Sequence, residues 1–184
     1  LCLVECGRLL REQGKEAPDL ISSLDLVALA TVADVAPLIG VNRAFVHQGL
    51  KVMARRARPG LVALCDIAKM QSAPKPYHLG FLLGPRINAG GRVGKADVGA
   101  RLLSTEDPQE AEALAMRLDV FNAERRQIEE DVRVQALAQA EARGFDAPLV
   151  WAAGEGWHPG VVGIVASRLK EAAGRPAVVM GIEN

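Results

Sequence analysis

DAPLVWAAGEGWHPGVVGIVASRLKEAAGRPAVVMG, residues 146–181, carries two apolar runs separated by a helical segment. The first run ends in a glycine-rich turn, GEGWHPG at 154–160, and a stretch with helical spacing follows. Gly174 then supplies a stop, and Pro176 precedes the second apolar run. This order predicts strand, turn, helix and strand. Two strands joined through one helix form a parallel pair with a right-handed crossover. The fold class is therefore α/β.

Upstream, the signals are those of a long helix. Asp107 is a good N-cap, Pro108 suits the first helical position, and Glu110 stands three residues past the cap. Apolar residues recur at Leu114, Leu118, Phe121, Ile128 and Val132, and Gly144 is the natural stop. One helix over 108–143 would be about 54 Å long at 1.5 Å per residue. That length predicts a connector between domains, with Phe121–Asn122 as the place for a break. Residues 1–13 read as a helix stopped by Gly14. In APDLISSLDLVALATVADVAPL, 17–38, Asp25 caps a helix that ends before Pro37, or the run is a buried strand; periodicity leaves both open. Residues 42–57 read as a basic-faced helix, and residues 71–94 as loop.

The 184 residues are globular in composition: 49% hydrophobic, 24% charged, 4% aromatic. No apolar run reaches the roughly 20 residues of a membrane span, and no signal peptide is legible. The chain opens without a methionine and closes just after an apolar run, which reads as a piece of a longer protein. Three cysteines, Cys2, Cys6 and Cys65, lack metal-site spacing, and an odd number suits a reducing compartment; Cys2 and Cys6, four apart on a helix, read as buried thiols. The net charge of zero conceals a division. Residues 35–96 hold ten Lys or Arg against one acid, Asp66, a net of +9, so the remainder carries −9. A basic block within a neutral chain is the footprint of a polyanion ligand, or else a solvated basic face.

Three stretches could carry chemistry. GPRINAGGRVG, 84–94, sets Arg86, Asn88 and Arg92 among small residues. Small residues expose backbone N–H groups, and a guanidinium fork matches phosphate oxygens. The plainer alternative is a glycine-rich turn with two surface arginines. His158 and Gly160 stand at the start of a helix, where free N–H groups and the helix dipole favour an anion, or where His158 is only a cap. Trp157 beside them reads as packing, with base stacking as the alternative. Asp34 adjoins an apolar run and calls for a partner, a metal or another cation; the plainer alternative is a capping or salt-bridged aspartate. His47 and His78 read as surface or satisfied polar residues. No Ser/His/Asp or Cys/His arrangement is present.

Taken together and in this order, these stretches resemble the RecJ family of single-stranded-DNA exonucleases in the DHH phosphoesterase superfamily. LDLVALATVADVAPL resembles the family's fourth motif, whose aspartate is a metal ligand, here Asp34. NRAFVHQGL and GPRINAGGR resemble the next segments, and GWHPGVVGIVASRL resembles the opening of the DHH-associated C-terminal domain. The resemblance runs from about residue 20 to the end. One departure is Gly90, where the family usually has alanine; the namesake Asp-His-His and its upstream aspartates are also missing from the chain. The implied organisation is the C-terminal part of a DHH phosphoesterase domain over 1–107, a connector over 108–144, and the start of the C-terminal domain over 145–184. The implied activity is hydrolysis of single-stranded DNA from its 5′ end with two Mn²⁺ or Mg²⁺ ions, in repair and recombination in a bacterial cytoplasm; the chain alone would be inactive. The implied roles are metal binding and catalysis for Asp34 and catalysis for His158. DNA-phosphate binding falls to Arg86, Asn88, Arg92, His158, Gly160 and Arg168. Single-stranded DNA is the implied partner, with repair or replication proteins such as a single-strand-binding protein. Two other readings stand beside it: a DHH phosphodiesterase acting on short RNA or cyclic dinucleotides, and an inactive replication scaffold.

Overall fold

The computed structural model describes residues 2–182. In chain order the helices are α1 (Cys2–Glu12), α2 (Leu24–Ala33), α3 (Gly40–Met53), α4 (Pro59–Ile67) and α5 (Pro76–His78). A π-helical turn, Leu79–Leu83, leads into α6 (Gly84–Val93), α7 (Asp97–Ser104) and α8 (Pro108–Arg143). Strand β1 (Val150–Glu155), α9 (Pro159–Ala173) and β2 (Ala177–Ile182) complete the chain. The chain divides into two compact units, residues 1–85 with 101–116, and residues 86–100 with 117–184.

The first unit is helical. The run at 24–33 is helix, not strand, and its core contributors Ala28 and Leu29 lie among Val46, Val52, Leu61, Leu64, Leu79 and Leu83. Helices α2 and α3 pack closely because Gly49 has no side chain: a Cβ there would lie 2.1 Å from the Leu24 carbonyl oxygen. Asp25 is not the cap of α2. It sits inside the first turn, 4% exposed, and accepts from the Arg58 guanidinium at 3.1 Å. A buried carboxylate needs such a partner, and Arg58 supplies the charge. At α8, Asp107 caps as expected, accepting from the Gln109 N–H at 2.9 Å. The reciprocal half of the capping box is absent, because Glu110 accepts instead from Thr105 and Arg101. Those two partners hold the Glu110 carboxyl below its usual range.

Cys65 is buried, and burial pushes its thiol up. Cys6 is exposed, contrary to expectation, on the solvent side of α1. Cys2 lies outside the residues whose side chains are described.

The second unit holds the strand–helix–strand sequence as expected. Strands β1 and β2 are parallel, with Val150 opposite Ala177 and Glu155 opposite Ile182. Gly174 ends α9 at φ 62°, a left-handed conformation that only glycine adopts cheaply. Val161, Val165 and Leu169 of α9 pack with Val150, Ala152 and the α8 residues Val132, Ala136 and Ala140. Helix α8 is fastened to β1 by Gln139, whose amide both donates to the Ala153 carbonyl (2.9 Å) and accepts from its N–H (3.2 Å). The helix runs unbroken through Phe121 and Asn122. Asn122 is buried, and its side-chain oxygen accepts from Arg125 at 3.1 Å.

Candidate nucleic-acid interface

The stretch 84–94 is not a loop. Residues 76–93 are helical throughout, passing from α5 through the π turn into α6. The backbone N–H groups expected to face a ligand are therefore spent within the helix. The π turn ends directly before Gly84-Pro85, where the proline has no N–H for a regular α-helical bond.

Helical geometry also separates the two arginines. Six residues at 3.6 per turn place Arg86 and Arg92 about 120° apart around the axis. Arg86 has a side chain 12% exposed and donates to Asp119 of α8 at 2.8 Å. Arg92 is exposed, and so is Asn88, four residues before it on the same face. The Arg92 guanidinium donates to the Gly160 carbonyl oxygen at 3.0 Å.

That contact brings the end of α6 to the start of α9. Gly160 permits it, since a Cβ there would lie 2.3 Å from the Arg92 carbonyl oxygen. His158 is the N-cap of α9, and its Nδ1 accepts from the Gly160 N–H at 3.0 Å. With Nδ1 used as acceptor, the neutral ring carries its proton on Nε2 and keeps one donor. The cap consumes one N–H of the helix start, so the anion site is smaller than a bare N-terminus. Arg168 lies ten residues along α9, about 15 Å from the cap at 1.5 Å per residue, and pairs with Glu171. The structure thus joins Arg92, His158 and Gly160, while Arg86 turns to Asp119 and Arg168 lies away.

Two further cations belong to this neighbourhood and were not singled out in the sequence. Arg125 of α8 is 12% exposed, pairs with Glu129, and keeps a buried Nε–H with no acceptor. Burial lowers its guanidinium from the usual value, opposed by Glu129 and reinforced by the fields of Arg126 and Arg92. The charges of Arg92 and Arg126 thus both act on Arg125, a local positive field that Glu129 partly offsets. Its only sequence trace is the Arg125-Arg126 doublet, hidden in a helix whose apolar spacing drew the reading. Trp157 is packing: it is 5% exposed, its indole N–H donates to Gln135 at 3.2 Å, and Gly154 lies under its ring.

Asp34 belongs to the first unit. It is the C-cap of α2 and is exposed. A carboxylate at the negative end of a helix dipole is destabilised, and a cation would relieve it. Val35 follows at φ 56°, costly for a β-branched residue. Among the described residues no three His, Cys, Asp or Glu side chains gather into a metal-binding group. Of the ten basic residues in 35–96, Arg56, Arg58 and Arg86 pair with acids. Arg43, Lys51, Arg55, Lys69, Lys75, Arg92 and Lys95 are exposed. His47 is exposed, and the half-buried His78 accepts from the Lys75 N–H through Nδ1. No helix among the described residues is long and apolar enough to cross a membrane.

No protein-family model matches the chain. Curated relatives do. The chain is 44% identical over 182 residues to the single-stranded-DNA-specific exonuclease RecJ of Dickeya dadantii, covering 96% of this chain and 31% of that protein. Identity to the RecJ of Escherichia coli is 42% over 174 residues, covering 91% and 30%. A crystal structure of Thermus thermophilus RecJ in complex with Mn²⁺ superposes with a TM-score of 0.84 at 38% identity, covering 95% of this chain and 26% of that one. A second, of the same protein with Mg²⁺, gives the same TM-score of 0.84. The resemblance to RecJ is thus borne out in sequence and in fold, and the chain spans about a third or less of these relatives.

Proposed function

We propose that this chain is the part of a RecJ-type exonuclease that grips single-stranded DNA by its phosphates. The observation that carries the reading is the junction of Arg92, His158 and Gly160. Arg92 offers a guanidinium fork, Asn88 an amide on the same face, and His158 an Nε2–H donor. The remaining N–H groups at the start of α9 add partial positive charge. Arg86, bound to Asp119, contributes to the field and to the placing of α6. Arg168 is left for a more distant phosphate.

Asp34 fits a metal in its exposure and its place at a helix C-terminus, and it supplies one ligand. The remaining ligands would come from elsewhere in the intact protein. When bound, Mn²⁺ or Mg²⁺ supplies water activation and charge stabilisation for phosphodiester hydrolysis. The rest of this reading, 5′-to-3′ action in repair and recombination in the bacterial cytoplasm with single-strand-binding protein as a partner, follows from the resemblance alone.

The test is a salt titration of single-stranded DNA binding by the intact protein, wild type against Arg92→Ala. One lost phosphate contact lowers the slope of log K against log salt by about 1. Mn²⁺-dependent nucleotide release, followed in the same samples, is expected to fall with it. Unchanged slope and release would remove the α6–α9 junction from the DNA path.

A further inference from the structure

Beside Asp34 the first unit carries an open apolar groove of about 530 Å³, whose lining includes Val32, Ala33, Val35, Tyr77 and Phe81. Its rim is formed by two aromatic rings that the core does not use. Tyr77 is 60% exposed and Phe81 66% exposed. They stack on each other with centroids 5.0 Å apart and planes inclined by 25°. They are four residues apart, and the π turn carries Phe81. Turns of this kind are rare and concentrate at functional sites. The residue directly after the turn packs closely on α2: a Cβ on Gly84 would lie 3.0 Å from the Ala33 Cβ. The groove lined by the two rings is thus also lined by Ala33 and Val35, which flank Asp34.

Charge selects the occupant. At the groove's edge, exposed Arg43 donates from Nε to the carbonyl oxygen of the lining residue Leu38 at 3.1 Å, exposed Lys75 precedes the lining residue Pro76, and the one acid adjoining the lining in sequence is Asp34. A protein segment docking here would need an acidic rim around an apolar centre. A single nucleic-acid strand has that composition throughout: flat apolar bases on an anionic backbone. We propose that Tyr77 and Phe81 are a stacking platform for an unpaired nucleobase, which seats the strand beside Asp34. The platform rests on the reading that the intact protein binds single-stranded DNA. It adds contact with a base to a reading otherwise confined to phosphates.

The experiment compares two oligonucleotides, oligo-dT and the same backbone made wholly of abasic residues, binding to the intact protein in Ca²⁺ to block turnover. Tyr77→Leu and Phe81→Leu keep apolar bulk at exposed positions and remove the ring; Tyr77→Phe keeps the ring. Each leucine variant is expected to bind oligo-dT about tenfold more weakly. Affinity for the abasic strand is expected to stay within about twofold, and Tyr77→Phe to behave as wild type on both. Equal losses on the two strands, or none on either, would overturn the platform while leaving the phosphate reading intact; the second result is the one expected if another segment or a protein covers the groove. Failure of the wild type to bind either strand would overturn both.

Discussion

The glycines of residues 84–94 and those of residues 154–160 are used for different properties. In the first stretch they serve as small residues, Gly84, Gly90 and Gly91 within α6 and Gly94 just past its end. None has a positive φ, and Gly94 lets the Phe121 ring approach to where a Cβ would stand 2.5 Å away. In the second stretch Gly156 does adopt φ 70°, turning the chain from β1 toward the cap of α9. Gly154 and Gly160 there make room for Trp157 and for the Arg92 carbonyl. One composition thus gives a packed helix in one region and a shaped turn in the other. What separates them is the partner each glycine meets. The consequence for function is direct: the turn can present its helix start to a ligand, whereas α6 can present only side chains.

The contrast is broken most severely at Gly160. Gly160→Ala puts a methyl 2.3 Å from the Arg92 carbonyl oxygen, so the end of α6 and the start of α9 must move apart. Forcing a methyl into such a contact costs about 1–3 kcal/mol. Urea denaturation of the intact protein should show that loss, and DNA affinity should fall because Arg92 no longer reaches Gly160. A wild-type midpoint would mean that the close approach is not needed.

The opposite sign is expected in the first stretch. Gly91 is helical, exposed, and has nothing within 4 Å of where a Cβ would stand. Gly91→Ala should therefore stabilise by about 0.5–1 kcal/mol, the helical disadvantage of glycine. A destabilised variant would show that residue 91 is not in a regular helix. Gly90 lies between these cases, 3.1 Å from the Lys95 carbonyl oxygen and 3.2 Å from Leu118 by the same measure. The alanine usual in the family would fit there after shifts of a few tenths of an ångström.

These partners also explain what was legible in the sequence. The start of α8 is written in its own residues, since Asp107 and Pro108 act locally. The strand–helix–strand order is local too, each element carrying its own period and its own stop. The helix over 76–93 was illegible because proline and glycine counted locally against it. What favours it lies elsewhere in sequence: Ala33 for Gly84, and Leu118 and Phe121 for Gly90 and Gly94. The pairing of Arg86 with Asp119 spans 33 residues and left no signal for the same reason. At the candidate site, His158 and Gly160 were legible because cap and helix start are neighbours. The approach of Arg92 to Gly160 was not, because it depends on packing between helices.

The smallest expected effect on stability separates the two roles left for His158. As N-cap it accepts from Gly160; as a ligand group it donates from Nε2. His158→Asn keeps an acceptor suited to the cap and removes the ring donor. Asparagine is among the best N-caps, so stability should stay within about 0.5 kcal/mol of wild type, whereas His158→Ala should cost about 1 kcal/mol. If His158 contacts phosphate, the asparagine variant keeps its denaturation midpoint and loses single-strand affinity. If the ring is only a cap, the asparagine variant matches wild type in both measurements, and the second glycine-rich stretch retains a shaped helix start whose anion binding rests on its N–H groups and Arg92.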